Sequence, residues 1–439
     1  MPFVRRVKNK LKLIFVDFLI KVSLFWDFPR LTAYALALAT VGLNPKKDIK
    51  VLCIGRSIFL DDVTALIHFG SGVQYLVLNM RYWYLMFDHF IPERDRQKIT
   101  ESNYHKEDFG NAGKQKYNAY LSEVLPRLKK LLGFNAVFAG NFGYLAQQEI
   151  SRVCETKKIP FIVLHKEGLL LPGDHMERAR MNQTYKFMGA KLMFYNKNIK
   201  QALLDIHLAG IDDNNTKVVG VPRLDFYFEN AEAKKDTEKQ VVFFSFSPSE
   251  KFMFLISDQE ALQAAYQRSD DFHKWVMNFA LKHKDFKVII KTKYSDHYLA
   301  YVQEIFNKHF GGQKIDNLVI TNNMNPFGLI TNSNSVMGFN STTLIEAIVA
   351  QKNIITPFFG DLIKDKPWDY FLHYPELVNY AKTEAELESL ILNPVQRSSY
   401  TLQEKNNFLN ELISVPDGQA SLRVEKEIID TVNDYKKYA

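Results

Sequence analysis

VMGFNSTTLIEAIVAQKNIITPFFGD, residues Val336–Asp361, is the stretch that decides the fold of this 439-residue chain. A short apolar run reaches Gly338, where a glycine lets the backbone leave a strand. The turn that follows supplies three side chains able to cap a helix, namely Asn340, Ser341 and Thr342. A capped helix start has free N–H groups and the positive end of the helix dipole, so it can bind an anion. Glu346, further along the predicted helix, either faces the same site and accepts hydrogen bonds from vicinal ribose hydroxyls, or is solvated.

Short apolar runs alternate with helical patterns along most of the chain. The runs predicted as strands include 49–55, 73–79, 136–141, 160–168, 241–249 and 335–340. Strand, helix and strand at this spacing favour right-handed crossovers and a parallel sheet. We therefore predict an α/β fold with two Rossmann-like, doubly wound domains that face each other across a cleft. In such sheets, ligands bind beyond the carboxyl ends of the strands.

The length of the chain favours two domains. A charged stretch without apolar periodicity, 228–240, is predicted to link them. The predicted parts, in chain order, are a basic amphipathic segment, an N-terminal domain, a C-terminal domain and C-terminal helices that pack back toward the N-terminal domain. Their predicted bounds are 1–30, 31–232, 239–395 and 396–439.

The N-terminus combines basic and apolar residues. Five basic residues precede an apolar run over 13–26, and they are Arg5, Arg6, Lys8, Lys10 and Lys12. Asp17 and Lys21 interrupt that run, and its pieces are shorter than the roughly 20 residues that a membrane-spanning helix needs. No small-residue cleavage site of a signal peptide follows. The segment is predicted either to lie as a helix on an anionic membrane surface or to pack on the protein with its lysines solvated.

Composition restricts the class of protein. Hydrophobic residues make up 46% of the chain and charged residues 24%, as in soluble globular proteins. The two cysteines, Cys53 and Cys154, provide neither a disulfide framework nor a metal-ligand spacing, which favours a reducing cytoplasm. The net charge of +7 comes with a single basic cluster, so nucleic acid is not an expected partner. We expect a cytoplasmic protein that is peripheral on the inner face of the cytoplasmic membrane.

Two stretches resemble a known superfamily. LITNSNSVMGFNSTTLIEAIVAQKNIITPF (329–358) is similar to the C-terminal half of GT-B glycosyltransferases, including bacterial surface-carbohydrate and capsule enzymes. CDP-glycerol glycerophosphotransferases and non-hydrolysing UDP-N-acetylglucosamine epimerases share the pattern. KVVGVPRLDFY (217–227) looks like the V-G-x-P-R-x-D stretch that closes the N-terminal domain in the same group. The resemblance extends from about Asn135 to Phe359 and is weak for the substrate.

The resemblance implies a donor site in the C-terminal domain. Ser341 and Thr342 would contact the donor phosphate, and Glu346 the ribose. Arg223 and Asp225 look like the interdomain hinge. Where many of these enzymes have Lys-x-His-Pro at a strand end, this chain has three other residues, Lys291, Thr292 and Lys293.

Two features of the donor site have more than one interpretation. Lys291 and Lys293 either neutralise phosphate, which a departing nucleoside diphosphate requires, or form a solvated pair at a sheet edge. Ser245, Ser247 and Ser249 lie at the end of the predicted strand 241–249, and they either line the phosphate site or form a polar turn.

The N-terminal domain is expected to hold the acceptor and the acid–base group. PFIVLHKEGLLLPGDH (160–175) places His165, Glu167 and Asp174 at and after a strand end. The epimerases have H-x-E at a similar place, and a glutamate there can act as general base on an acceptor hydroxyl. We rank Glu167 first, Asp174 second and His165 third, because a lone histidine is more often buried and hydrogen-bonded. Metal ligation is not expected, since the chain has no HExxH, no Cys/His pair spacing and no Asp-x-Asp of the metal-dependent glycosyltransferase form.

Three classes of function fit these features. The first is a metal-independent glycosyltransferase that moves a sugar from a nucleotide sugar to a growing bacterial surface glycan or a lipid-linked acceptor. The second is a CDP-polyol phosphotransferase of the teichoic-acid type, and the third is a non-catalytic or epimerase-like protein of the GT-B type. None of them needs a separate cofactor, because the nucleotide sugar is a substrate. The basic N-terminus favours the first two, and the absence of the clear histidines that phosphotransferases usually carry favours the first.

Overall fold

The computed structural model describes residues 2–55, 57–105, 109–171, 173–229, 239–246, 255–363, 368–394 and 402–437. The chain forms two compact units. The first contains Met1–Leu169, Asp174–Asp225 and Leu412–Ala439, and the second contains Leu170–Gly173 and Phe226–Glu411. Each unit has its own sheet of mostly parallel strands, which confirms the predicted α/β class. The boundary after Asp225 precedes the expected domain end at 232, and the last helix belongs to the first unit.

The strands are short and follow the apolar runs. In the first unit they are β1 (Val41–Gly42), β2 (Ile49–Gly55), β3 (Val73–Asn79), β4 (Ala136–Ala139), β5 (Phe161–His165), β6 (Lys191–Phe194) and β7 (Thr216–Val218). In the second unit they are β8 (Gln240–Ser245), β9 (Lys287–Thr292), β10 (Leu318–Thr321), β11 (Ser335–Gly338), β12 (Asn353–Pro357) and β13 (Asn379–Ala381). The expected strands at 49–55 and 73–79 have the predicted bounds, whereas several later ones end two or more residues earlier.

Helices connect the strands. The first ten are α1 (Pro2–Phe25), α2 (Pro29–Ala39), α3 (Ser57–Phe69), α4 (Arg81–Phe90), α5 (Glu93–Arg96), α6 (Asn111–Leu132), α7 (Leu145–Thr156), α8 (Asp174–Met181), α9 (Lys197–Asp205) and α10 (Asp225–Glu229). The others are α11 (Gln259–Lys282), α12 (Asp296–Phe310), α13 (Pro326–Asn332), α14 (Thr342–Val349), α15 (Glu384–Leu392), α16 (Leu402–Ile413) and α17 (Ala420–Lys437).

The two sheets share a doubly wound topology. The first has the order β1-β3-β2-β4-β5-β6-β7, in which β1 is antiparallel to β3 and the other neighbours are parallel. The second has the order β10-β9-β8-β11-β12-β13 and is parallel throughout. In each sheet the chain begins its parallel strands near the centre, continues toward one edge, and then returns to the centre to add strands toward the other edge. The crevice where the direction reverses lies between β2 and β4 in the first unit, and between β8 and β11 in the second.

The second sheet is covered by apolar side chains, which explains why its strands are continuous apolar runs. Phe243, Ile290, Met337 and Ile355 on four strands, and Phe272 on α11, have no solvent exposure of consequence. Because the strands are fixed by this core, the residues that follow their carboxyl ends emerge at one edge of the sheet.

Helix α1 is anchored to the body of the first unit. Its Val16, Ile20 and Leu24 are buried. The Ser23 hydroxyl bonds that of Thr32 on α2, which in turn bonds the Tyr120 hydroxyl on α6. Within the described part of the chain, none of the helices combines the length and the apolar character that crossing a bilayer requires.

The V-G-x-P-R-x-D stretch is tied into the first unit. Arg223 donates to Asp62 at 3.4 Å and to the Tyr195 hydroxyl at 3.1 Å. Asp225 accepts the backbone N–H groups of Ala420 at 3.2 Å and Ser421 at 2.7 Å. Asp225 therefore caps helix α17 from a part of the chain that is distant in sequence.

Replacing that cap should destabilise the first unit. Asp225→Ala leaves two buried N–H groups of α17 without their acceptor, and we expect the free energy of unfolding to fall by about 1–2 kcal/mol. Urea unfolding followed by circular dichroism measures the change. Asp213→Ala is the matched control, because the Asp213 side chain is 83% exposed. Equal effects of the two substitutions would contradict the capping role.

Candidate functional site

The carboxyl edge of the second sheet collects the predicted donor residues that the structure describes. Ser245 of β8 lies opposite Thr292 of β9, and Phe244 lies opposite Gly338 of β11. Since these strands are parallel, the residues after them emerge together at the crevice between β8 and β11. The predicted residues at this edge are Lys291, Lys293, Asn340, Ser341, Thr342 and Glu346.

Helix α14 begins with the predicted hydroxyl cap. Ser341 is the N-cap residue, and its Oγ accepts the N–H of Thr343 at 3.4 Å. The Oγ atoms of Ser341 and Thr343 are 2.9 Å apart. Thr343 was not singled out from the sequence, although its place in the Ser-Thr-Thr run is the signal. The first N–H groups of the helix lack partners within the helix by geometry, as an anion site requires.

Glu346 is buried, so the alternative of a solvated side chain is wrong. It is 8% exposed, and its carboxylate accepts the Tyr227 hydroxyl at 2.8 Å. The Tyr227 ring lies against Phe327, with centroids 5.0 Å apart. Tyr227 is held by packing and therefore orients the carboxylate. Sequence reasoning missed Tyr227, which is 119 residues away from Glu346.

Lys291 is a buried cation. It is 8% exposed on β9, which has neighbours on both sides, so the prediction of a solvated edge lysine is wrong for this residue. Its Nζ donates to the backbone carbonyl of Thr292 at 2.6 Å, and burial lowers its pKa. Within the described residues, no carboxylate pairs with it. A buried ammonium without a counter-charge is costly, and an arriving anion would offset that cost.

Lys293 differs from Lys291. Its side chain is exposed, and its ammonium lies 5.1 Å from the ring centre of Phe246 and 5.3 Å from that of Tyr298. These are cation–π distances. The two lysines therefore offer a buried charge and an exposed charge next to the same edge.

Of the three serines at and after the end of β8, the structure describes only Ser245. Ser247 and Ser249 lie outside the described residues. The Ser245 Oγ is 2.6 Å from His273 Nε2, and His273 Nδ1 is 2.7 Å from the backbone carbonyl of Ser269. Burial lowers the pKa of His273 to about 4, so the ring is neutral and its Nδ1–H donates to the carbonyl. Ser245 then donates to Nε2, and its hydroxyl proton is directed into the core.

In the first unit, His165 ends β5 as a buried and neutral ring. It is 2% exposed, with ring centres of Phe142 and Phe194 at 5.2 Å and 5.9 Å. Burial lowers its pKa to about 4, against the opposing effect of Glu167. Neither ring nitrogen has a hydrogen-bond partner within the described residues. The expectation of a buried histidine is confirmed. The expectation that its ring is hydrogen-bonded is wrong for the described residues.

The two candidate carboxylates lie on different elements. Glu167 follows β5, with its side chain 42% exposed, and accepts the Tyr144 hydroxyl at 3.2 Å. The Lys166 ammonium is 3.7 Å from the same oxygen. Asp174 is the first residue of α8 and is half-buried. Glu167 is thus positioned by two donors and still open to solvent.

The loop after β4 adds residues that sequence reasoning did not assign. Asn141 Oδ1 accepts the N–H of Gly143 at 2.7 Å, which closes a tight turn before α7. A Cβ atom on Gly143 would lie 2.4 Å from the Tyr185 ring, so only glycine fits there. This turn places Tyr144 beside Glu167. The Gly-Asn-Phe-Gly sequence after the AVFA strand was the available signal.

Comparisons with known proteins give structural neighbours only. No protein-family model matches the chain, and no curated protein matches its sequence. UDP-GlcNAc 2-epimerase from Neisseria meningitidis, bound to UDP-GlcNAc, is 13% identical, with 87% of this chain and 100% of that chain covered and a TM-score of 0.46. The Methanocaldococcus jannaschii UDP-GlcNAc 2-epimerase, in complex with UDP-GlcNAc and UDP, is 12% identical, with 87% and 99% covered and a TM-score of 0.43.

A third similar structure is the trehalose-6-phosphate synthase OtsA. It is 9% identical, with 87% of this chain and 98% of that chain covered and a TM-score of 0.46. UDP-GlcNAc 2-epimerases are one of the groups that the sequence resembles. At these identities no residue role is transferred, so the assignment of the site rests on the geometry of this chain.

Proposed function

We propose that this chain is a metal-independent glycosyltransferase that moves a sugar from a nucleotide sugar to a growing bacterial surface glycan, such as lipopolysaccharide, capsule or cell-wall polysaccharide. The observation that carries the proposal is Lys291, a buried ammonium at the carboxyl edge of the second sheet that has no carboxylate partner among the described residues. The same edge carries the capped start of α14 and the buried carboxylate of Glu346. A cation, helix N–H groups and a carboxylate are complementary to the diphosphate and ribose of a nucleotide.

In this proposal, the second unit binds the donor. The N–H groups at the start of α14 and the Ser341 hydroxyl hold the diphosphate, and Lys291 neutralises the charge that develops on the departing nucleoside diphosphate. Glu346, oriented by Tyr227, accepts hydrogen bonds from the ribose hydroxyls. Fixed charges of this kind need no reorganisation when the glycosidic bond breaks.

The first unit, in the same proposal, binds the acceptor. Glu167 removes the proton of the acceptor hydroxyl as it attacks the anomeric carbon, and the nucleoside diphosphate leaves with the bonding electrons. Asp174 and His165 remain the second and third candidates for the acid–base group. The acceptor is a glycan or a lipid-linked carrier at an anionic membrane surface, reached from the cytoplasmic side.

Epimerase-like chemistry is the second candidate, because His165 and Glu167 keep the H-x-E spacing and the His165 nitrogens have no hydrogen-bond partner in the part of the chain that the structure describes. An epimerase converts its nucleotide sugar without any acceptor. Incubating the chain with a nucleotide sugar alone, and following the product by nuclear magnetic resonance, therefore distinguishes the two. A CDP-polyol phosphotransferase would instead release CMP from its donor.

Nucleotide binding is tested by thermal shift with the full-length chain and a panel of nucleoside diphosphates. We expect at least one of them to raise the melting temperature, because a ligand that binds only the folded state stabilises it. The proposal would be contradicted if no nucleoside diphosphate raised the melting temperature and titration calorimetry also detected no binding.

Lys291→Met should separate binding from stability. The substitution removes a buried charge and keeps the length of the side chain, so we expect an unchanged or higher melting temperature without ligand. Nucleotide affinity should fall by about tenfold or more, since a hydrogen-bonded charge is lost. Lys293→Met, at the exposed lysine, is the matched control and should have a smaller effect. Equal affinities of Lys291→Met and the wild type would remove Lys291 from the phosphate site.

The pH dependence of binding follows from the same lysine. Burial lowers the pKa of Lys291 below that of an ordinary lysine. Without a bound ligand, the Lys291 ammonium therefore loses its proton at a lower pH than a surface lysine does. Nucleotide affinity should therefore decrease as the pH rises through that lowered pKa. Titration calorimetry at increasing pH measures the decrease, and Lys291→Met should not show it.

A further inference from the structure

The first two helices present apolar side chains to solvent, although their inner sides are already buried. The exposed residues are Ile14, Phe15, Phe18, Phe25, Trp26 and Phe28, which we call the outer face. Phe18 is 60% exposed, Phe25 77% and Trp26 73%. Single exposed apolar residues are ordinary, but a contiguous group of large ones marks an interaction surface.

The outer face lies on the side of α1 away from the protein. Ile14, Phe18 and Phe25 are spaced by four and seven residues, which places them along one side of a helix over about 16 Å. The buried residues of the same helix, Val16 and Ile20, fall on the other side. A helix that is apolar on both sides requires a cover for each of them. The protein covers one side, and nothing within the described residues covers the other.

The turn after α1 extends the outer face. The Phe25 and Trp26 rings meet edge to face, with centroids 5.4 Å apart, and Phe28 follows at the start of α2. Hydroxyl contacts from Ser23 to Thr32 fix α1 against α2, so the direction of this surface is set by the fold. Tryptophan and phenylalanine with a basic flank are typical of helices that lie in the headgroup region of a bilayer.

The charge around the outer face favours anionic lipid as the partner that covers it. The first 40 residues contain seven basic and two acidic residues, a net charge of +5, whereas the whole chain has +7. Lys12 and Lys21 on α1 and Arg30 on α2 are exposed. Asp17, one of the two acidic residues, is paired with Arg81. A second copy of the chain would bring the same positive charge onto this surface, whereas anionic lipid brings the opposite charge.

We propose that the outer face inserts into the interfacial region of an anionic lipid bilayer, with the Phe18, Phe25 and Trp26 side chains among the acyl chains. Lys21 lies between Phe18 and Phe25 along the helix, and its long side chain can reach the headgroups while its methylenes stay in the apolar layer. Apolar insertion holds the protein on the membrane, and the basic residues select anionic lipid. The proposal goes beyond the transfer reaction and does not depend on it.

The test uses the full-length protein and phosphatidylcholine vesicles with and without phosphatidylglycerol. We expect the wild type to sediment with the anionic vesicles. Phe18→Gln with Phe25→Gln keeps every charge and should lower the partition coefficient by about tenfold or more, because two exposed aromatic side chains no longer leave water. Leu131→Gln with Leu422→Gln, at exposed leucines elsewhere in the first unit, is the matched control and should bind like the wild type.

Fluorescence and size-exclusion measurements complete the test without any substrate. Trp83 and Trp368 are buried and Trp275 is packed against the core of the second unit, so a vesicle-induced blue shift that is lost in Trp26→Phe reports insertion of Trp26. Unchanged melting temperatures show that the variants are folded. The proposal is overturned if the wild type ignores anionic vesicles, or if the Phe18 and Phe25 double variant binds them normally. A wild-type dimer that this variant converts to a monomer, without vesicle binding, would assign the surface to a second copy instead.

Discussion

Glu346→Ala should weaken nucleotide binding by about 1–3 kcal/mol, or roughly 5- to 150-fold, because in the proposed donor site this carboxylate accepts hydrogen bonds from the ribose. The carboxylate is 8% exposed and held by the Tyr227 hydroxyl at 2.8 Å, so it is already oriented before a ligand arrives. Titration calorimetry with the nucleoside diphosphate that shifts the melting temperature most gives the affinity.

A deoxyribose analogue makes this prediction specific for the ribose. The wild type should bind the 2′-deoxy or the 3′-deoxy nucleotide more weakly than the ribonucleotide, and Glu346→Ala should no longer distinguish them. Tyr227→Phe is the control for orientation, since it keeps the ring beside Phe327 and the carboxylate itself. It should lower affinity less than Glu346→Ala. If Glu346→Ala still distinguished the sugars as the wild type does, Glu346 would be a structural acceptor for Tyr227 alone.

The strands and the helix start at Ser341 could be predicted because local sequence determines them. An apolar run that ends in Gly-Phe-Asn-Ser-Thr specifies both the end of β11 and the cap of α14 within a few residues. Alternation of such runs with helical patterns predicted the α/β class in the same way. The strand predicted at 335–340 nevertheless ends at Gly338, because the residues after it form the turn that leads to the N-cap Ser341 of α14.

The remaining features depend on contacts between distant parts of the chain. The burial of Lys291 follows from the position of β9 between β10 and β8, which strand order decides and local sequence does not show. Tyr227 meets Glu346 across 119 residues, and Asp225 meets Ser421 across 196. No periodicity in one segment can identify such partners. The same reason explains why Lys291 and Lys293 looked alike in sequence but differ in exposure.

The three candidate acid–base residues of the first unit differ in burial and in their contacts. His165 is neutral because burial lowers its pKa to about 4, so it does not supply a positive charge at neutral pH. Asp174 is the first residue of α8 and is half-buried. Glu167 is 42% exposed and receives a hydrogen bond from Tyr144, so it remains accessible to an acceptor hydroxyl. We therefore propose Glu167, ahead of Asp174 and His165, as the general base.

Glu167→Gln should therefore lower the rate of sugar transfer by roughly 10²–10⁴, the usual contribution of general base catalysis, while donor affinity changes little. The amide keeps the size of the side chain and can still accept from Tyr144, but it cannot take the acceptor proton. Transfer is measured with a radiolabelled donor and a glycan acceptor, and donor affinity by calorimetry on the same preparation. Asp174→Asn is the matched control and should retain activity if only one carboxylate reaches the acceptor hydroxyl. An inactive Asp174→Asn beside an active Glu167→Gln would exchange the two roles, whereas two active variants would move the acid–base group to another part of the first unit, with the turn from Asn141 to Tyr144 as the next place to test.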